Sequence, residues 1–166
     1  MLFRSYKKSY FSKFNKVWSH GDWVTETSSG GIIVHGRSDS TLNRSGVRIG
    51  TSEIYSAIKD LSYVEDSLII HLDNSDKNSL ILFVKSNMLI KKDGLRATIR
   101  QKCSPRHVPD LIYQTPDIPY TISGKKVEVP IKKILSGLDH KDSVSKDSLK
   151  NPESIDWFLE FYKNQL

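Results

Sequence analysis

The sequence runs to 166 residues, room for one domain or one domain plus part of another, and 37% of it is hydrophobic, enough for a modest core. Its formal net charge of +6 favours an anionic partner and leaves nucleic acid, a membrane surface and a polyphosphate cofactor open. The single cysteine, Cys103, excludes an intrachain disulfide and suits a reducing compartment. No apolar run approaches the roughly 18–20 residues of a membrane helix. The basic, aromatic opening "MLFRSYKKSYFSKFNKVW" lacks the apolar stretch of a secretory signal, so a cytoplasmic location is expected.

In chain order, "DWVTETSSGGIIVHG" predicts a β-hairpin, with strands at Trp23–Thr25 and Ile32–His35 joined by a Ser-Ser-Gly-Gly turn. Two short strands bury little by themselves, so this hairpin calls for a larger sheet. A tighter hairpin follows in "TLNRSGVRI", where Gly46 can take a positive φ. "TSEIYSAIKDL" predicts a helix capped by Thr51 or Ser52, with Glu53 in its first turn and Ile54, Tyr55, Ile58 and Leu61 on one face. "YVEDSLIIHLD" and "SLILFVKS" are the strongest strand patterns, separated by the turn residues "NSDKN". Leu89–Lys102 predicts a helix despite Gly94, ended by the two prolines of "SPRHVPD". "LIYQT" is a short strand, "PDIPYTISGKK" a loop, and "VPIKKIL" a helix with Pro130 near its first turn. A polar stretch from residue 139 leads to a last helix in "ESIDWFLEFYK", carrying Ile155, Phe158, Leu159 and Tyr162 on one face. From about Ser40 to Leu135 the order is β-β-α-β-β-α-β-α, an α+β unit.

Several chemistries are absent. There is no Cys-x-x-Cys or His-x-x-x-His spacing, no G-x-S-x-G elbow and no Walker-type loop. The five histidines are scattered. Two local features could bind an anion. "YTISGKKVEVP" places Lys125 after a side-chain-poor Ser-Gly, where its ammonium can approach phosphate or carboxylate oxygens. Taken alone, an exposed turn with two solvated lysines is the commoner reading. Asp22 of "HGDW" could accept hydrogen bonds from a ribose diol, with Arg37 of "HGRSD" beside it. Taken alone, an ion pair across the strand mouths is the commoner reading.

The order of these segments says more than any one of them. "HGDW", "GRSDSTLNRSGVRIGTSEIY", "SPRHVPD", "IPYTISGKKVEV" and "NPESIDWF" together resemble the adenylate-forming, AMP-forming acyl-CoA synthetases, and among them the acetoacetate-activating subfamily. The resemblance implies a small α+β lid at residues 39–138: a mixed sheet of about three strands, a hairpin and flanking helices. It is expected to follow the last hairpin of a large adenylation domain at 1–38 and to precede a polar linker and C-terminal helix at 139–166. The phosphate loop and acyl pocket of that large domain are expected outside this sequence. It would work as a C-terminal part of an acetoacetate–CoA ligase, inactive without a separately encoded N-terminal part.

The implied substrates are ATP with Mg2+, CoA and acetoacetate or a similar short acid, with no metal held by the chain itself. The implied roles are ribose binding by Asp22 and Arg37, nucleotide or lid contact by Arg48, and a hinge at Asp39. Lys125 would contact the reacting carboxylate and α-phosphate, Gly46 would lie against the pantetheine arm, and Arg100 would meet the CoA 3′-phosphate. From Lys85 to Lys133 eleven Lys and Arg face four Asp and Glu, in keeping with polyanionic substrates. That charge would also suit RNA, but no RNP-type aromatic motif accompanies it. The alternatives are a non-catalytic CoA- or polyanion-binding module and a gene remnant without function.

Overall fold

The computed structural model describes residues 6–7, 10–14, 16–37, 42–44, 47–74, 77–138 and 145–165. The chain divides into two units, Met1–Thr41 and Leu42–Leu166. In the first unit, strands β1 (Asp22–Glu26) and β2 (Ile32–Arg37) form an antiparallel hairpin with a register shift between Trp23 and Val24. Val24, Ile32, Ile33 and Val34 are all exposed, so successive residues of β2 present apolar side chains on both of its faces.

The second unit is built on a three-stranded mixed sheet. Strands β5 (Asp66–Asn74) and β6 (Lys77–Lys85) are antiparallel, and β7 (Leu111–Thr115) runs parallel to β6 on its other side. Both faces of the sheet are covered, which explains why β6 reads as an unbroken apolar run. On one face Ile69, Leu80, Leu82, Val84 and Ile112 pack with helices α1 (Thr51–Ile58) and α2 (Lys92–Lys102) and with Leu42 and Ile49 of the second hairpin. That hairpin consists of β3 (Leu42–Arg44) and β4 (Val47–Ile49). On the other face Leu68, Ile70, Leu72, Ile81 and Phe83 pack with α3 (Glu128–Leu135) and α4 (Glu153–Gln165). Phe83 is ringed by Tyr113, Trp157, Phe158 and Phe161, so the last helix is part of the core. This is the small α+β architecture that the sequence implied.

Two local expectations need correction. Helix α1 has Gly50 at its N-cap, so the cap position falls on a residue with no side chain and not on Thr51 or Ser52, and Glu53 N–H donates to Gly50 O. Helix α2 begins at Lys92, three residues after Leu89. The preceding turn is held otherwise: Ser86 Oγ donates to Met88 O, and the Gln114 side-chain amide donates to the carbonyls of Ser86 and Met88. Ile90 is buried while Met88 and Leu89 point to solvent, so residues 86–91 pack as an irregular segment and cannot wind into the helix.

Candidate functional site

Lys125 stands on a turn that the chain closes on itself. Thr121 N–H donates to Lys125 O at 2.9 Å, and Lys125 N–H donates back to Thr121 Oγ1 at 3.0 Å. Gly124 takes φ +79°, and its N–H donates to Thr121 O. A Cβ at Gly124 would meet no atom within 4 Å, so the glycine serves the backbone angle and not a close approach. Ile122, Ser123, Gly124 and Lys125 are exposed, and the Lys125 ammonium makes no hydrogen bond or ion pair among the described residues.

The neighbours of this turn are fixed. Lys126, one residue on, pairs with Asp66 at 2.8 Å, donates to Ser67 O and lies 4.0 Å from the centroid of the Tyr55 ring. Tyr55 Oη donates to Glu128 at 2.7 Å and accepts from Ile69 N–H at 3.1 Å. Burial, with Glu128 beside it, pushes the Tyr55 hydroxyl far above its ordinary pKa, so it stays a donor. Tyr120 Oη donates to Asp66 at 2.7 Å, and burial together with that carboxylate raises its pKa too. Adjacent lysines thus do different work: Lys126 is committed to the sheet edge, and Lys125 is presented to solvent.

A second cluster surrounds the "SPRHVPD" segment. Ser104 caps a 3-10 turn at Pro105–His107 by accepting from Arg106 N–H. His107 is buried, with Nδ1 against Ser104 Oγ at 2.8 Å and Nε2 against Glu53 Oε2 at 2.9 Å. Arg44 of β3 pairs with Asp110 and donates to Val108 O at 2.7 Å, while the other Asp110 oxygen accepts from Leu80 N–H. The motif therefore ties hairpin β3–β4 and helix α1 to the end of β6. Arg100 lies exposed in the last turn of α2. Arg48 pairs with Asn43 in the register of β3–β4. Gly46 and Asp39 lie outside the described residues.

In the first unit, Asp22 and Arg37 are cross-strand partners in the β1–β2 register. The Asp22 carboxylate bonds His20 Nδ1, and the Trp18 ring meets the His20 ring edge-on at 5.5 Å. Sequence reading missed Asp66, Tyr120 and Asn151, which together hold the Lys125 turn. Their contacts span 31 and 54 residues, and no local spacing signals them.

No protein-family model matches the chain. Acetoacetyl-CoA synthetase of Danio rerio is 45% identical over 168 residues, covering 96% of this chain and 24% of its own length. The Gallus gallus acetoacetyl-CoA synthetase is 46% identical over 160 residues, again covering 24% of its own length. A solved structure, acetoacetyl-CoA synthetase from Streptomyces lividans, superposes with a TM-score of 0.89 at 39% identity, covering 98% of this chain and 25% of that one. The chain thus spans about a quarter of the length of the curated relatives it matches.

Proposed function

Because this chain belongs, by sequence and fold, with the C-terminal portion of the acetoacetyl-CoA synthetases, AMP-forming acid–thiol ligases, we propose that it is the mobile cap of such a ligase. The reaction takes acetoacetate or a similar short acid, ATP with Mg2+, and CoA. In the first half, a carboxylate oxygen attacks the α-phosphorus, the bond to the bridging oxygen breaks, and pyrophosphate leaves. In the second, the CoA thiol loses its proton, its sulfur attacks the acyl carbonyl, and AMP leaves with the electron pair.

Lys125 serves the first half. Two anions meet there, and its ammonium offsets the charge that builds between the carboxylate and the α-phosphate. Asp22 and Arg37 hold the ribose, and rotation about Asp39 exchanges the Lys125 turn for the hairpin around Gly46. There the absence of a side chain leaves room for the pantetheine arm, with Arg48 near the nucleotide and Arg100 near the CoA 3′-phosphate. The large adenylation domain supplying the phosphate loop and acyl pocket is a separate partner or a further part of a longer chain, with residues 1–38 as its end.

The observation that supports this best is the contrast at 125–126: one ammonium is locked to Asp66 and the sheet, while its neighbour is exposed on a closed turn. The test joins the chain to the N-terminal portion of an acetoacetyl-CoA synthetase and follows each half-reaction. Lys125→Ala is expected to slow acyl-adenylate formation by about 100-fold or more. Thioester formation from supplied acyl-adenylate should change less than about threefold. Unimpaired adenylate formation would remove Lys125 from the chemistry.

A further inference from the structure

The turn that carries Lys125 is held from outside by a segment that lies 23–26 residues later in the chain. Ile122 N–H donates to Ser148 O at 3.0 Å, Lys150 N–H donates to Tyr120 O at 2.8 Å, and Thr121 and Leu149 form an antiparallel bridge. Asn151 closes the seam with all three of its side-chain bonds. Its Oδ1 accepts from Tyr120 N–H at 2.9 Å, and its Nδ2 donates to Ile118 O at 2.8 Å and to the Asp117 carboxylate. One amide thus spans residues 117, 118 and 120, the approach to the turn, in a way that needs both an acceptor and two donors.

Asn151 is in turn fixed by the last helix. Its carbonyl accepts from Ser154 Oγ at 2.6 Å and from Ser154 N–H at 3.1 Å. Leu149 is buried, and Lys146 reaches forward to Asp156 at 2.7 Å. Helix α4 is itself anchored by Phe158 and Phe161 against Phe83 at the centre of the sheet. A continuous path of packed and hydrogen-bonded groups therefore runs from the core to the turn.

The far side of the seam is equally built. Asp117 pairs with Lys85 of β6 at 2.8 Å. Asp66, Glu65 and Lys150 complete the wall of an open polar cleft of about 500 Å³ beneath Tyr120. Two supports flank Lys125: the Asp66–Lys126 pair at the sheet edge, and the Asn151 seam.

We infer that Asn151 is a positioning residue for Lys125, through which segment 145–165 holds the turn in the geometry needed for adenylate formation; this rests on the catalytic reading of Lys125. Segment 145–165 is then more than a helix and its approach. Through Asn151 it braces the turn, and loss of that one side chain loosens the turn while the sheet stays intact.

Amide hydrogen exchange on this chain tests the brace without any activity. In Asn151→Ala the amides of Tyr120, Ile122 and Lys150 should exchange about tenfold faster or more, with the β5–β6 amides unchanged. Unchanged exchange at those three amides overturns the inference. In the joined enzyme, Asn151→Asp faces Asp117 with a second carboxylate. It should slow acyl-adenylate formation about tenfold, with thioester formation from supplied acyl-adenylate within about threefold.

The double variant Asn151→Asp with Asp117→Asn removes the facing carboxylate and restores one donor across the seam, while Ile118 O stays without its donor, and should recover part of the lost rate. Equal loss in both half-reactions, or no recovery in the double variant, overturns the positioning role. Faster exchange together with adenylate formation insensitive to Lys125→Ala would overturn the reading of Lys125 and leave the brace standing.

Discussion

Tyr55 shows how much of the second unit's order depends on single polar atoms. Strand β5 is an edge of the sheet, and its outward backbone groups would otherwise be unpaired. The Tyr55 hydroxyl takes the Ile69 N–H, and Lys126 gives to Ser67 O. In Tyr55→Phe both Ile69 N–H and Glu128 lose a partner, and the expected cost is about 1–3 kcal/mol in urea unfolding. A loss below about 0.5 kcal/mol would mean that water replaces the hydroxyl at no cost.

The Lys85–Asp117 pair gives the residue scale a pH signature. Burial acts to raise the Asp117 pKa, but hydrogen bonds from Lys85 and Asn151 outweigh it, and the net shift is downward. Asp73, bonded by Lys132, is also lowered. A depressed folded pKa means stability that is present above the unfolded value of 3.8 and lost as pH falls through the lower folded value. Lys85 is raised, first by its hydrogen bond to Asp117, so its share is present below 10.5 and lost above its folded pKa. Denaturant midpoints should therefore fall from about pH 5 downward, and less steeply in Asp117→Asn. Identical slopes would show that the pair contributes nothing to folding.

At the scale of elements, the end of α3 carries a close approach. Gly137 takes φ +69°, its N–H donates to Ile134 O, and Leu138 N–H donates to Lys133 O, a glycine-terminated helix end. A Cβ there would sit 2.5 Å from Tyr162 Oη on α4. Gly137→Ala is expected to destabilise by about 1–2 kcal/mol from the backbone angle alone, with more from displacing Tyr162. A loss of no more than about 1–2 kcal/mol would show that Tyr162 moves aside at no cost, and a near-neutral thermal shift would refute the strain at this angle as well. The helices were legible in the sequence because their apolar spacing is local, as in Ile54 and Ile58 on α1, and so was the turn at Ser123-Gly124. What escaped was pairing without local pattern. The Gly50 cap leaves no side-chain mark, the turn at 86–88 before α2 is held by Gln114 of β7, and the Asn151 seam joins segments some thirty residues apart. Lys125 follows Ser-Gly, a local feature that made it a candidate, and the resemblance supplied its role; Asp66 and Asn151 carry no such local mark.

At the scale of the whole molecule, stability and apolar exposure are separated along the chain. Every buried apolar residue among the described residues lies at Leu42 or later, in two clusters on either side of one sheet. The β1–β2 hairpin exposes Val24, Ile32, Ile33 and Val34, and a two-stranded hairpin is marginal alone in water. Such a hairpin contributes little to a cooperative transition while offering an apolar strand to any sheet that can pair with it. A chain starting at Leu42 should therefore keep the urea midpoint of the full chain within experimental error, because it keeps both core clusters whole. It should also self-associate less in sedimentation, because the exposed strands are gone. A midpoint lowered by the equivalent of more than about 1 kcal/mol would show that residues before Leu42 carry core contacts, and the separation argued from burial would fail.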